Sequence, residues 1–249
     1  MQRLTIAGPA NRTPKVGEQA AKRLADHILS NAIPCGTVLP PEKELAEMLG
    51  IGRGTMREAL RILEIFGMLD MRTGRYGGPV VSRPDDNDLS KALTLSFQAN
   101  GSSMLDVMET RALIEPHLAS LAARRITVDQ LDALKATVKA MRAGHVTSDT
   151  FQALAREFHT IVAAAANSSV LSLLASGLHK IGGGDVVGIE YGPLQVESTA
   201  AAHERITAAL EARDSELAAD LWSKHLRDAE RYWKKAYADE SARPVSWTI

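Results

Sequence analysis

The sequence predicts a mainly α-helical protein, in which a helix-turn-helix head with a β-hairpin is joined to an all-helical bundle. Two short segments of helical periodicity lie between residues 39 and 66, and a glycine-rich break at residues 50–54 separates them. A glycine-punctuated stretch with strand-like residues follows, up to about residue 81. From Leu89 to about Tyr237 apolar residues recur at helical spacing, and no strand-like alternation interrupts them.

The composition is that of an ordinary globular protein with room for two domains. The chain has 249 residues, of which 45% are hydrophobic, 24% charged and only 4% aromatic. The single cysteine, Cys35, excludes an intrachain disulfide and is typical of a reducing compartment. The sequence shows no signal-peptide pattern and no apolar run of the ~18 residues that a transmembrane helix needs. We therefore expect a cytoplasmic protein with no membrane partner.

Breaks in the periodicity give the expected domain boundaries. We expect a flexible N-terminus at residues 1–14, a winged helix-turn-helix domain at 15–83, a linker at 84–87, an all-helical domain at 88–238 and a flexible tail at 239–249. In the first domain we expect helices at about 16–31, 42–48 and 54–66, and strands at 69–72 and 79–81. In the second we expect helices at about 88–99, 103–124, 128–144, 147–166, 168–181, 195–212 and 214–238.

Charge is distributed unevenly between the two expected domains. Residues 1–84 carry 12 Lys+Arg and 8 Asp+Glu, whereas the remainder carries 17 and 22. The formal net charge of −1 therefore hides a basic head on an acidic body. A basic head is what a DNA-binding module requires, and the acidic body is typical of a sensor or oligomerisation domain.

The second helix of the helix-turn-helix carries the residues that we expect to read DNA. It begins with Arg53, Thr55 and Arg57 and continues into apolar positions. In such motifs the N-terminal residues of the second helix reach base edges in the major groove. Each arginine fork can bind guanine O6 and N7 together, and Thr55 can contact a base edge or a phosphate. The backbone N–H groups of Gly54 and Thr55 can also contact phosphate at the helix N-terminus.

The segment after this helix predicts a wing. Arg72, Thr73, Gly74, Arg75 and Tyr76 lie between the two expected strands, where a β-hairpin needs turn residues. A lone arginine is usually a solvated surface charge. Here, however, the break, the basic helix start and the wing occur in the order and spacing of a winged helix-turn-helix, which indicates DNA binding.

Both domains resemble a known family of regulators. Leu39-Pro-Pro-Glu-Lys-Glu-Leu-Ala-Glu, Gly50-Ile-Gly-Arg53, Arg57-Glu-Ala-Leu-Arg-Ile-Leu and Gly67-Met-Leu resemble the GntR superfamily of bacterial transcription regulators. Glu109-Thr-Arg111-Ala-Leu-Ile-Glu115-Pro, Phe158-His159, His203 and His225 resemble the helical, FCD-type effector domain of its FadR subfamily. The resemblance covers about residues 15–235. It implies a ligand-responsive regulator, usually a repressor, that binds a palindromic operator on double-stranded DNA as a homodimer.

The resemblance adds three residues to the expected DNA interface and shows one departure. Lys43 stands where the family has a basic residue near DNA, and Thr73 and Gly74 stand at the wing tip, which in this family enters the minor groove. Gly52 replaces the Ser or Thr that usually precedes the arginine. Losing an active side-chain cap costs roughly 0.5–2 kcal/mol of helix stability, and less when glycine is the replacement.

Three histidines form a candidate metal site. His159, His203 and His225 lie on three different predicted helices, and neutral imidazoles that converge in a bundle can bind Zn, Ni, Mn or Fe. The resemblance places all three at the family's metal histidines. The family also has an Asp four residues before the first histidine, and Ala155 stands there in this chain. Three neutral ligands give a more positive and weaker site, whose open positions can hold waters or a carboxylate of the effector.

The resemblance also implies an effector contact. Arg111 stands where the family has an arginine that binds the carboxylate of a small effector; the alternative is an ion pair with Glu115. We assign His117 and His179 structural roles and interpret Gly182–Gly184 as a flexible connector. Two other functions remain open, namely a regulator with a metal-free or vestigial effector site and a three-histidine metalloenzyme. The enzyme would lack a nearby general base and leave the helix-turn-helix unexplained.

Overall fold

The computed structural model describes residues 15–74, 77–143, 146–183 and 188–246. It divides into two compact units, the first ending at Asp88 and the second beginning at Leu89. The described residues are mostly helical, with one small sheet after the first three helices, which confirms the predicted fold class. The expected flexible N-terminus lies outside the described residues. No helix in the described part of the chain combines the length and the apolar character needed to cross a membrane.

Three helices build the first unit. They are α1 (Val16–Ser30), α2 (Glu42–Leu49) and α3 (Arg53–Ile65). Their apolar stripes meet in one core, to which α1 contributes Leu24, α2 contributes Leu45, and α3 contributes Met56 and Leu60. Because these α3 side chains point inward, the polar residues of its first turn are left on the surface.

The turn between α2 and α3 depends on a glycine. Gly50 has a φ of +68°, a left-handed conformation that costs glycine little and other residues more. Its N–H donates to the carbonyls of Ala46 and Glu47 and so closes α2. Gly52 is extended and precedes α3 with no side-chain capping bond, as its missing hydroxyl requires. The predicted glycine-rich break is confirmed.

The sheet that follows has the register of a wing. Strand β1 (Leu69–Arg72) pairs antiparallel with β2 (Gly78–Val81), and Leu69 lies opposite Val81. Both of these residues are buried in the core of the first unit, which holds the hairpin against the three helices. Thr73 and Gly74 follow β1 directly. The predicted wing residues Arg75 and Tyr76 lie outside the described residues.

The second unit is a helical bundle. Its helices are α4 (Asp86–Ala99), α5 (Met104–Arg125), α6 (Val128–Met141), α7 (Ser148–Ala165), α8 (Ser169–Ile181), α9 (Pro193–Glu211), α10 (Ser215–Ala236) and α11 (Ala238–Ala242). Helices α5 and α10 pack along each other, and α7 and α9 pack against α5. Phe158, Ile206 and Trp222 lie fully buried in the largest core. Helix α4 begins within the expected linker, at Asp86.

The end of the chain differs from the expected flexible tail. Helix α11 begins at Ala238, and Val245 beyond it is only 2% exposed. The Val245 N–H donates to the Ser102 carbonyl at 2.8 Å, and Pro244 pairs with Ser103 in an isolated bridge. These partners are more than 140 residues away along the chain, so local periodicity could not predict them. Residues 247–249 lie outside the described residues.

Candidate DNA interface and histidine cluster

The residues predicted to read DNA all lie at the surface of the first unit. Met56 and Leu60 bury the inner side of α3, whereas its N-terminal turn is open. The first residues of a helix have N–H groups without intrahelical partners, so those of Gly54 and Thr55 are placed to meet an anion. The predicted residues are exposed or, for Thr55, half-buried: Lys43, Arg53, Gly54, Thr55, Arg57, Thr73 and Gly74.

Arg57 is held by a residue that the sequence pattern did not predict. Its Nε lies 3.1 Å from Oε2 of Glu42, the first residue of α2, and its Nη2 lies 2.9 Å from Oε1. These hydrogen bonds and the negative charge of Glu42 raise the pKa of Arg57. The carboxylate occupies the Nε edge of the guanidinium. Nη1 and the remaining Nη2 hydrogen are left to bind an acceptor pair such as guanine O6 and N7.

The three predicted metal histidines meet inside the second unit. Nε2 of His225 lies 3.3 Å from Nε2 of His159 and 3.4 Å from Nε2 of His203. Each of the three contributes a ligand atom to a set that spans at most 4.8 Å. Nitrogens that bind a tetrahedral metal at about 2.0–2.1 Å lie about 3.3–3.4 Å from one another. The observed separations therefore fit a shared divalent metal.

Burial keeps these imidazoles in their ligating form. Desolvation lowers the pKa of His159, and for His203, where desolvation is again the main cause, the pKa falls well below its usual value. The pKa of His225 is lowered to about 3. Neutral imidazole has a free lone pair, so a metal would displace few protons from this cluster at neutral pH.

Glu115 on α5 sets the tautomer of His159. Its Oε2 lies 3.0 Å from Nδ1 of His159 and accepts a hydrogen bond from Nε1 of Trp222, also at 3.0 Å. Although burial raises the pKa of Glu115, Arg111 and His159 outweigh that effect and hold it well below its usual value. The ionised carboxylate accepts the Nδ1 proton of His159, so the Nε2 lone pair faces the cluster. A carboxylate behind a ligating histidine is a common support in metal sites.

Arg111 forms the ion pair that the sequence left open as the alternative to an effector contact. Its Nε donates to Oε1 of Glu115 at 2.6 Å, and its Nη2 donates to Nδ1 of His179 at 2.7 Å. Nη1 makes a weaker contact with the Met108 sulfur at 3.5 Å. The guanidinium is only 4% exposed. Most of its donors are therefore used inside the protein, and Nη1 is the donor best placed for a ligand.

His179 belongs to the cluster, contrary to the structural role assigned from sequence. It accepts the bond from Arg111, and its ring stacks on that of His159 with centroids 4.6 Å apart. Glu115, His159 and His179 also form a second set of ligand atoms. Arg111 contacts all three, at 2.6, 3.4 and 2.7 Å, so its guanidinium already occupies the place of a cation. A metal therefore fits only the first set.

A cavity of about 80 Å³ adjoins the histidine cluster. Such a volume holds several waters or a small organic anion. Ala155 lines it with a methyl group, one turn before His159, so the side chain there offers no ligand atom. The other lining residues include Arg111, Gln152, Arg156, His179, His225, Tyr191 and the glycines Gly182 and Gly183 of the predicted connector.

Gln152 has an unused acceptor beside this cavity. The side chain is 8% exposed, and its Nε2 donates to Ser148 Oγ at 3.2 Å and to the Ile189 carbonyl at 3.3 Å. Oε1 is buried and has no hydrogen-bond partner among the residues the structure describes. A buried orphan acceptor is destabilising, and a ligand with a hydroxyl or ammonium donor would relieve it.

Two family models match the sequence. The model described as "Bacterial regulatory proteins, gntR family" matches residues 16–76, which include α1, α2 and α3. The FCD domain model matches residues 106–228, which include Arg111 and the three metal histidines. Each model thus covers one of the two candidate sites.

Individual relatives are similar over both matched regions. The solved structure of a GntR protein from Streptococcus agalactiae is 30% identical, with a TM-score of 0.62, over 86% of this chain and 99% of that one. An uncharacterised HTH-type transcriptional regulator of Mycobacterium tuberculosis is 29% identical over 74% of this chain and 75% of its own length. The Uxu operon transcriptional regulator of Escherichia coli is 26% identical over 62% and 60%, respectively. These two relatives are named as regulators, not as enzymes.

Proposed function

Since this chain belongs to the GntR family of bacterial regulatory proteins, with an FCD effector domain, it is a transcription regulator and not an enzyme, and we propose that it is a ligand-released repressor. It binds a palindromic operator as a homodimer, because one winged helix covers only a half-site. A small carboxylate metabolite binds the FCD domain and weakens operator binding. The FadR-like arrangement of the two domains is consistent with this proposal.

The surface of α3 supports the DNA-binding part of the proposal. Arg53 and Arg57 supply guanidinium forks for guanine, and Thr55 supplies a hydroxyl. The helix N-terminus supplies backbone donors to phosphate at Gly54 and Thr55. Lys43 on α2, together with Thr73 and Gly74 after β1, extends the interface to the backbone and the minor groove.

The observation that carries the effector part is the convergence of three histidine Nε2 atoms beside a cavity. His159, His203 and His225 would hold a divalent metal, and Zn fits the nitrogen separations. When bound, the metal supplies a Lewis-acid position for a carboxylate. The Nη1 donor of Arg111 and the Oε1 acceptor of Gln152 would orient the rest of the effector.

Release of the operator requires the effector to favour one state of the protein. A ligand that binds the DNA-bound and free states equally shifts nothing, however tightly it binds. The effector must therefore bind more tightly to the FCD domain of the free regulator than to that of the operator complex. This difference in affinity is the quantity on which the regulatory proposal depends.

Recognition by α3 is tested by selecting double-stranded DNA from a randomised pool with the full chain and measuring mobility shifts of the selected sequence. We expect Arg53→Ala and Arg57→Ala to abolish the specific shift, because each loses a base contact worth about 1–3 kcal/mol. Arg61→Ala is the matched control, since Arg61 is an exposed arginine two turns into the same helix. Specific shifts by both α3 variants that equal the wild-type shift would overturn the assignment.

A further inference from the structure

We propose that the metal and the effector's carboxylate bind the FCD domain jointly, each raising the protein's affinity for the other. This inference rests on the proposed effector site and goes beyond it by specifying how occupancy is controlled. It follows from the charges around the histidine cluster, from the engagement of the one carboxylate nearby, and from the alanine that lines the open side.

The protein offers the metal three ligands and no compensating negative charge. His159, His203 and His225 are neutral in this buried setting, and no carboxylate joins their ligand set among the described residues. The charged side chains that line the cavity are Arg111 and Arg156, both cationic. A divalent ion would add two positive charges to a region from which water is largely excluded. Burying such charge without a counter-charge is costly.

Glu115 cannot serve as the missing anionic ligand without breaking its own contacts. Oε1 accepts the short bond from Arg111, and Oε2 accepts bonds from His159 and Trp222. Turning either oxygen toward the metal would leave Arg111 as an uncompensated buried cation. It would also free the Nδ1 proton of His159, which the same carboxylate holds. Glu115 therefore supports the cluster and does not complete it.

The open side of the cluster faces the cavity. His159, His225 and the methyl of Ala155 all line it, and Nη1 of Arg111 lies against its Gly182 wall. A carboxylate placed there can ligate the metal and lie beside cationic side chains. It supplies the charge that the protein lacks, while the metal supplies most of the attraction that holds a small anion.

Thermodynamic linkage makes the two effects equal. If the carboxylate raises metal affinity by some factor, the metal raises carboxylate affinity by the same factor. Couplings between ligands commonly amount to about 5- to 150-fold. Because the two ligands here would touch and carry opposite charge, we expect a factor of at least about tenfold. Metal availability would then act as a second input to the regulator.

The test measures Zn²⁺ affinity of the full chain by competition with a chromophoric chelator, in a buffer free of carboxylate and chloride, with and without acetate. We expect acetate to tighten Zn²⁺ binding at least about tenfold after correction for Zn–acetate complexes. Ala155→Asp places a carboxylate one helical turn before His159, on the same side of α7. This variant should bind Zn²⁺ tightly without acetate and respond little to it. Ala155→Asn, similar in size but neutral, should keep the wild-type response.

Each outcome has a distinct meaning. Equal Zn²⁺ affinity with and without acetate in the wild type would overturn the linkage and leave the metal site standing. Failure of both the wild type and Ala155→Asp to bind Zn²⁺ more tightly than His203→Ala would overturn the metal site itself. Acetate binding that is equally tight in chelator-treated protein would identify a metal-independent anion site and would also overturn the linkage.

Discussion

At the scale of single residues, Glu115 determines how its neighbours can act. One oxygen neutralises Arg111, and the other fixes the tautomer of His159 while accepting from Trp222. The family resemblance treats Arg111 as a fork that binds the effector. The structure uses most of that fork internally, so a ligand has mainly Nη1 to bind. The same carboxylate leaves the Nε2 lone pair of His159 directed at the other histidines.

Glu42 has a corresponding effect on the other unit. It binds the Nε edge of Arg57 through both carboxylate oxygens, at 2.9 and 3.1 Å. The pair is partly solvated, with the Arg57 side chain 74% exposed, so it adds little to stability. Its effect is geometric, because a guanidinium held at one edge presents the opposite edge in a fixed direction.

Removal of Glu42 should therefore reduce sequence discrimination. For Glu42→Ala we expect the preference for guanine over adenine at the Arg57 contact to fall by about 1 kcal/mol, part of the worth of a bidentate base contact. Non-specific binding should be unchanged or slightly stronger, because a negative charge is lost near phosphate. Mobility shifts on selected DNA and on a single-base variant measure both quantities.

The matched control for this prediction is Glu44→Ala. Glu44 is exposed in the same turn of α2, so the substitution removes the same charge without touching Arg57. If Glu42→Ala bound the selected DNA more tightly than both wild type and Glu44→Ala, Glu42 would be a competitor of DNA, and the positioning role would be wrong.

At the scale of helices, the histidine cluster depends on packing between elements far apart in sequence. Helix α7 supplies His159, α9 supplies His203 and α10 supplies His225, while α5 supplies the supporting Glu115. The rings also contribute to the core, since His203 stacks on Phe158 with centroids 3.8 Å apart. The site and the bundle interior therefore share side chains, so protonation of the site should act on stability.

The metal-free protein should lose stability as the pH falls. The imidazole of His225 has a pKa of about 3 in the folded chain and 6.5 as its ordinary value. Below pH 6.5 the unfolded chain takes up a proton that the folded chain does not, so the free energy of unfolding falls until about pH 3. This one group contributes a slope of about 1.4 kcal/mol per pH unit in that window.

Urea denaturation between pH 7 and pH 4, followed by tryptophan fluorescence, measures this slope. Trp222 and Trp233 are buried in the second unit and report on its unfolding. His225→Gln should show a smaller slope than wild type by about 1.4 kcal/mol per pH unit, whereas the exposed His117→Gln should not. Identical slopes in all three proteins would show that His225 is not held neutral by burial.

The sequence predicted those elements whose signals are local. The glycine at position 50 breaks the chain between two periodic segments, and its left-handed backbone is what the structure shows. The bounds of most helices in the second unit also agree within a few residues with the predicted ones. The convergence of His159, His203 and His225 was expected from the family resemblance, because three separate helices give no local signal that their histidines meet.

Contacts between distant segments could not be predicted in this way. His179 joins the cluster only because α8 packs against α5 and α7, and nothing in its neighbourhood distinguishes it from a structural histidine. The pairing of Glu42 with Arg57 depends on how α2 and α3 are positioned across the turn. The order at Val245 depends on backbone bonds to Ser102.

At the scale of the whole molecule, the chain joins two units that each have a core and a candidate site. The first unit presents a basic helix and wing, and the second encloses histidines and a cavity. Neither site by itself accounts for a regulated protein. The proposal requires that occupancy of the second unit change the operator affinity of the first, and this coupling is a free energy that can be measured.

The most direct test is the operator affinity of the full chain, measured on selected DNA in Zn²⁺ with a panel of small mono-, hydroxy- and dicarboxylates. We expect at least one carboxylate to weaken binding by about fivefold or more, the lower end of typical couplings, and only when Zn²⁺ is present. His203→Ala should bind the DNA normally but lose this response, whereas His117→Ala should keep it. Operator affinity that stays constant across the panel, or a response retained in full by His203→Ala, would contradict the account.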